Sequence, residues 1–212
     1  MGEGVLGRVD HLVYAAPDLM AAVEGLKGRL GVRAAPGGRH PAEGTRNFLM
    51  ALGPACYLEV VGPDAEGPAP SRPRWFGIDS LGRPRLVAWA ARAGDLDGAV
   101  AQAAAAGVTL GPVAAGSRET AAGQRLSWRF TDPRAVMEGG VVPFLIDWGQ
   151  TPHPALTAPR GAVLEGLLGE HPEAERVRGV LEALGLDLEV RRGGEPGLVA
   201  TIRSPLGMVE LR

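Results

Sequence analysis

Apolar and polar residues mix in a strand-like run through RVDHLVYAA at residues 8–16, and the pattern then changes to helical spacing. Leu19, Val23, Leu26 and Leu30 recur every three or four positions, which places them on one face of a helix. Asp18 stands where a capping carboxylate accepts the first free amides, and Gly31 where a helix can end. Three further strand-like runs follow at about 32–40, 45–52 and 56–62, divided by the turn signals AEG and GPA. The predicted order is strand, helix, strand, strand, strand.

That order recurs. RPRLVAWAA (83–91) parallels the first strand, DLDGAV (95–100) parallels DLMAAV (18–23), and FLIDWG (144–149) parallels YLEVVG (57–62). A stretch rich in Pro and Gly, 64–82, joins the two copies. A fainter third copy begins with GAVLEGLLG, continues through a helix at 172–184, and closes with DLEVRR, LVATIRS and GMVELR. Repeats of this kind predict an α+β protein of tandem βαβββ modules at 8–63, 83–150 and 161–212. Each sheet buries one face under its helix. The other face of the first two must curl around a partner module or a cavity.

Two polar residues interrupt otherwise apolar strands: His11 in the first and Glu59 in the fourth. Burying such a group unpaired costs roughly 1–3 kcal/mol, so each needs a partner or a wet cavity. Strand alternation puts His11 on one face with Val9 and Val13, and Glu59 on one face with Tyr57 and Val61. If the two faces converge, the pair can bind a metal, exchange protons, or simply form a buried His–Glu hydrogen bond. Cys56 falls on the face opposite Glu59 and reads as buried and inert. Between the two strands, PGGRHPAEGTRN holds Arg39, His40, Thr45 and the single Asn of the chain, Asn47. It can be a hairpin in which the glycines set the backbone and Thr45 and Asn47 brace turns. It can equally be a ligand-recognition edge, with Arg39 suited to an anionic oxygen and Asn47 to an amide or hydroxyl. Arg39 and His40 are adjacent, so only one should enter a cavity, and His40 is the better candidate.

These segments together resemble the vicinal oxygen chelate superfamily, and more narrowly its glyoxalase-like domain proteins. The resemblance rests on DHLVYA, GGRHPAEGTRN, YLEVVGPD and PFLIDWGQTPHP, and runs from about residue 8 to the C terminus. It implies paired βαβββ modules in a curled, half-open mixed β-sheet barrel with helices outside, here followed by a third, similar module. In metal-dependent members a divalent ion sits between modules. His11 and Glu59 occupy the places of ligands from one module. The second module departs from that pattern, since Leu86 aligns with His11 and Ile146 with Glu59. The cofactor is then either none or one divalent metal ion on His11 and Glu59, with His40 a third ligand if its strand curls inward.

Phe144, Ile146 and Trp148 share the face equivalent to Glu59, and Trp128 or Arg129 can reach the same space. With Tyr57 they would make an apolar, aromatic wall suited to an organic ligand. The expected ligand contacts are His40, Asn47, Tyr57, Trp128, Phe144 and Trp148, with His11 and Glu59 as the catalytic or metal-binding pair. Asp147 should face the helix side and anchor the following loop. His153, between two prolines, reads as structural, and His171 as a surface residue beside a helix cap.

Composition narrows the function classes. Net charge is −2 with no basic run, which argues against nucleic acid or an anionic membrane. The lone cysteine excludes a disulfide framework, and the one lysine, Lys27 on the first helix, makes Schiff-base chemistry a poor candidate. No apolar run reaches the roughly 18 residues of a membrane span, and no signal peptide opens the chain, so a cytoplasmic monomer or homodimer with a small-molecule ligand is expected. Two functions remain open: a proton-transfer enzyme of isomerase, lyase or dioxygenase-like type, and a non-catalytic protein that sequesters a small molecule.

Overall fold

The computed structural model describes residues 4–119, 123, 125–135 and 138–212. A single helical turn, α1 (Val5–Arg8), leads into β1 (Val9–Ala15), α2 (Leu19–Leu30), β2 (Ala35–His40), β3 (Thr45–Gly53) and β4 (Cys56–Pro63). The second copy comprises β5 (Arg85–Arg92), α3 (Leu96–Ala105), β6 (Val113–Glu119), β7 (Arg125–Thr131) and β8 (Phe144–Asp147). The third comprises β9 (Val163–His171), α4 (Ala174–Ala183), β10 (Glu189–Arg192), β11 (Gly197–Ser204) and β12 (Gly207–Leu211).

Local chemistry sets the helix ends. Asp18 accepts the Ala21 amide and Asp95 the Gly98 amide, each satisfying a donor that the helix leaves free. Gly31 ends α2 in the left-handed region at φ 69°, where a side chain would clash. The stripe of Leu19, Val23, Leu26 and Leu30 is buried against the sheet, as the periodicity predicts.

The first two copies form one eight-stranded sheet in the order β2-β3-β4-β1-β5-β8-β7-β6. Within each copy the first strand runs parallel to the last, and antiparallel pairing of β1 with β5 joins the copies. The sheet curls until its two edges meet. Arg118 of β6 donates to the Gly37 carbonyl of β2, so the barrel is closer to closed than the half-open form expected. The third copy makes a separate four-stranded sheet, β10-β9-β11-β12, in which the first strand lies between the second and third. It repeats the order of elements but not the strand pairing. Its apolar face joins the main core on the helix side of the large sheet, with Val177, Leu181, Ala200 and Ile202 fully or nearly fully buried beside Leu12, Leu30 and Trp89. Among the described residues no helix is long and apolar enough to cross a membrane.

Candidate functional site

The concave face of the large sheet carries its own apolar cluster, built from Val13, Val61, Ala88, Ala90, Phe144 and Ile146. His11 and Glu59 project from this face into one cavity, with Nε2 of His11 3.8 Å from Oε2 of Glu59. Parallel pairing of β1 with β4 brings them together, since Val13 lies opposite Glu59 and His11 opposite Tyr57. Tyr57 stacks on the imidazole at 4.6 Å and Phe144 meets it edge-on at 5.5 Å, so the ring is clamped. Burial pushes the Tyr57 hydroxyl well above the phenol range, and the charges of Asp10 and Glu59 add to this, so it is a neutral group.

The decisive residue is one that strand alternation hides. Asp10 is fully buried, and its Oδ1 accepts from Nδ1 of His11 at 2.8 Å. A β-bulge permits this: β1 shifts register against β5 between Val9 and His11, leaving Asp10 opposite no partner. Trp148 Nε1 donates to both Asp10 oxygens at 3.2 Å, and His153 Nε2 approaches Oδ2 at 3.2 Å. Burial by itself would raise the Asp10 carboxyl, but the bonds from His11 and His153 outweigh it and hold the group below the usual carboxylate range. A carboxylate at Nδ1 fixes the tautomer of His11 and leaves the Nε2 lone pair facing Glu59 and the cavity.

Glu59 is positioned in turn by Asn47, whose Nδ2 donates to Oε1 at 2.5 Å. His40 also lines the cavity, bonded to Thr45 Oγ1 at 3.3 Å and set edge-on to Trp75, while its neighbour Arg39 points outward to Asp64 and Glu66. Trp128, Phe144, Ile146 and Trp148 complete the aromatic wall, and Arg129 faces outward to pair with Asp97. All eight residues expected at the site therefore line a single cavity. It is narrow, about 40 Å³, with room for roughly three water molecules. A larger ligand needs the wall to move.

Four expectations require correction or extension. Leu86 does not line the cavity; a second bulge pairs Tyr14 with Leu86, which packs in the helix-side core, and the cavity face of β5 presents Ala88 and Ala90 instead. The stretch 64–82 is more than a joint, because its short helix Trp75–Ser80 inserts Trp75 and Phe76 into the cavity, Phe76 in the left-handed region at φ 57°. His153 is structural, as its Nδ1 accepts the Ala155 amide, but it also belongs to the Asp10 network. His171 is buried rather than on the surface, ending β9 with its Nδ1 accepting the Glu173 amide and its Nε2 3.5 Å from Glu138. Asp147 does anchor the following loop, through the Gly149 amide. Cys56 lies on the opposite face, its thiol pushed up to about 12 mainly by burial. Asp10, Trp75, Phe76 and Arg118 carried no clear signal in the sequence, since an Asp beside a strand His and an Arg near a turn are common on surfaces.

The donor set does not suit a protein-held divalent ion. His11 and Glu59 are two ligands where a stable site takes three or more. One Glu59 oxygen is already engaged by Asn47, Ile146 is apolar, and the Arg118 guanidinium lines the same cavity. Among the described residues no three His, Cys, Asp or Glu side chains are placed to hold a metal ion, so His40 does not complete a ligand triad with the pair.

Comparison with known proteins agrees with this architecture. A model of the glyoxalase-like domain matches residues 9–185. No curated protein matches the sequence significantly. Among solved structures, a hypothetical protein from Staphylococcus aureus aligns over 95% of this chain and 84% of its own, with a TM-score of 0.63 at 13% identity, which speaks for the fold alone. Methylmalonyl-CoA epimerases also align weakly: that of Mycobacterium tuberculosis over 69% of this chain and 89% of its own (18% identity, TM-score 0.41), and that of Streptomyces coelicolor, in complex with 2-nitronate-propionyl-CoA, over 69% and 98% (21% identity, TM-score 0.42). The match over most of the chain, on a sheet of paired βαβββ units, places it in the glyoxalase-like domain family.

Proposed function

We propose that this protein binds a small oxygenated organic molecule in the barrel cavity and that His11 moves a proton at the carbon next to its carbonyl group. The observation that carries this reading is the Asp10–His11 bond, which leaves a bare Nε2 facing the ligand space. In the forward step Nε2 takes the carbon-bound proton, the C–H electron pair forms the carbon–carbon double bond of an enolate, and the carbonyl π pair moves onto its oxygen. Return of the proton to the other face or to a neighbouring carbon, directly or through Glu59, completes an isomerisation. Loss of a β-substituent instead would make the reaction a lyase. The aromatic wall selects an apolar or aromatic body and excludes water from the reacting centre.

The wall also favours a second reading, a binding protein that sequesters an aromatic molecule without altering it. Deuterium uptake separates the two. Carbonyl compounds that quench the cavity tryptophans are incubated with the protein in heavy water and followed by NMR. Enzyme-dependent exchange that is lost in His11→Gln supports proton transfer, and binding with no exchange supports sequestration.

A further inference from the structure

One buried charge has no part in the reaction as written. Arg118 is 7% exposed, and the Gly37 carbonyl is the one hydrogen-bond acceptor it has among the described residues. A guanidinium carries five N–H donors, and a buried cation is tolerable only when paired. Burial works against its charge and lowers its pKa, while the Glu59 carboxylate in the same cavity favours the charge in part. Two other buried polar atoms in the same cavity are also without a partner among the described residues: the acceptor Oδ1 of Asn47 and the donor Nε1 of Trp75. Arg118 and Asn47 further line an outer cleft of about 600 Å³ beside β2 and β6, with Arg39, Arg46 and Arg125. They are therefore shared between the open cleft and the narrow cavity. Arg39 and Arg46 pair with Asp64 and Glu66, and Arg118 and Arg125, without an ion pair among the described residues, would draw anions toward the cleft.

We propose that the ligand is a small organic carboxylate with a neighbouring hydroxyl, a 2-hydroxy acid or the enol of a 2-oxo acid, and that Arg118 is its carboxylate anchor. The guanidinium fork matches a planar carboxylate through two parallel bonds. The hydroxyl donates to Asn47 Oδ1, and Trp75 Nε1 donates to a ligand oxygen. A monoanion suits a space that also holds Glu59 better than a doubly charged phosphate does. The inference rests on reading this cavity as the ligand site and adds the class of ligand. Because the cavity has room for only about three waters, the body of a larger acid extends into the outer cleft that Arg118 and Asn47 also line. In the proton-transfer reading, Arg118 supplies the positive charge next to the developing enolate that a divalent ion would otherwise supply.

The test uses the whole protein and three probes: mandelate, its neutral amide mandelamide, and phenylphosphonate. Binding is read from tryptophan fluorescence and calorimetry. Mandelate is expected to bind saturably and on the order of tenfold or more tighter than mandelamide. Arg118→Gln should weaken mandelate on the order of 30-fold or more, with Arg118→Lys in between and Arg178→Gln without effect. The comparison of mandelate with mandelamide on the unaltered protein keeps the test decisive if Arg118→Gln fails to fold. Equal affinity for the amide, tighter binding of phenylphosphonate, or no mandelate binding up to roughly 10 mM would overturn the proposal. Mandelate binding without carbon–proton exchange on any probe supports the anchor and counts against proton transfer. Exchange on neutral ketones, with mandelate and mandelamide bound alike, does the reverse.

Discussion

Asp10 and His11 are neighbours in β1, yet their side chains are bonded at 2.8 Å, because the bulge at this point removes Asp10 from the strand ladder. Ordinary alternation would send one of them through the sheet to the helix side. The bulge keeps both with the cavity, and the carboxylate then also gathers Trp148 and His153 from the loop after β8. One local irregularity thus ties the first module to the end of the second and orients the imidazole between them.

Removing this carboxylate leaves buried donors orphaned. Asp10→Ala should lower the unfolding free energy by about 3–5 kcal/mol, measured by urea denaturation. Asp10→Asn keeps the shape, so it should cost less stability but reduce proton exchange by roughly tenfold or more. Unchanged stability in Asp10→Ala would contradict the network.

Acid should loosen the fold in two stages. Burial lowers the His40 imidazole below its ordinary value, with Glu59 and Glu43 opposing and Arg118 adding to the effect. The unfolded chain then binds a proton more readily than the folded one, so stability falls as pH drops below about 6.5. Asp10 acts in the same direction at lower pH. Its folded value is depressed, so its contribution is complete above about pH 4 and fades as pH falls further. The urea midpoint should decline from pH 7.5 to 5.5, and this decline should flatten in His40→Asn. A flat profile in the unaltered protein would contradict the burial of His40.

The space beside Asn47 depends on a glycine. A Cβ on Gly37 would collide with Asn47 Oδ1 and come within 2.8 Å of Leu49 Cγ. Gly37→Ala should therefore displace Asn47 from Glu59 and weaken mandelate binding by roughly tenfold, while the Asp10 network stays intact. Binding unaffected by this substitution would remove Asn47 from the site.

Much of this was legible in the sequence. The helix caps and the repeated element order follow from period, because a half-buried strand has two faces and one must be apolar. The convergence of His11, Glu59, His40 and Asn47 follows from parity only together with the family resemblance. What parity could not reach were the two bulges in the β1–β5 pairing, which bring Asp10 to the cavity side and remove Leu86 from it. Trp75 and Phe76 were hidden because a segment rich in Pro and Gly has no period to read. Arg118 was hidden because its importance comes from the meeting of β2 and β6, a contact between residues 81 apart in the chain.

The donor set predicts the metal content. With Mn, Fe, Ni and Zn supplied during expression, the purified protein should hold well under one ion per chain by elemental analysis. One tightly held ion per chain, lost in Glu59→Gln, would show that His11 and Glu59 recruit further ligands from solvent or substrate and would replace Arg118 as the source of positive charge.

The state of the His11 ring tests the account most directly. With imidazole nitrogens labelled by ¹⁵N, NMR at pH 8, above the ordinary imidazole range, reports which nitrogen carries the proton. The account predicts a proton on Nδ1 and a bare Nε2, with this preference lost in Asp10→Asn. A proton on Nε2 in the unaltered protein would leave no base facing the cavity and would contradict it.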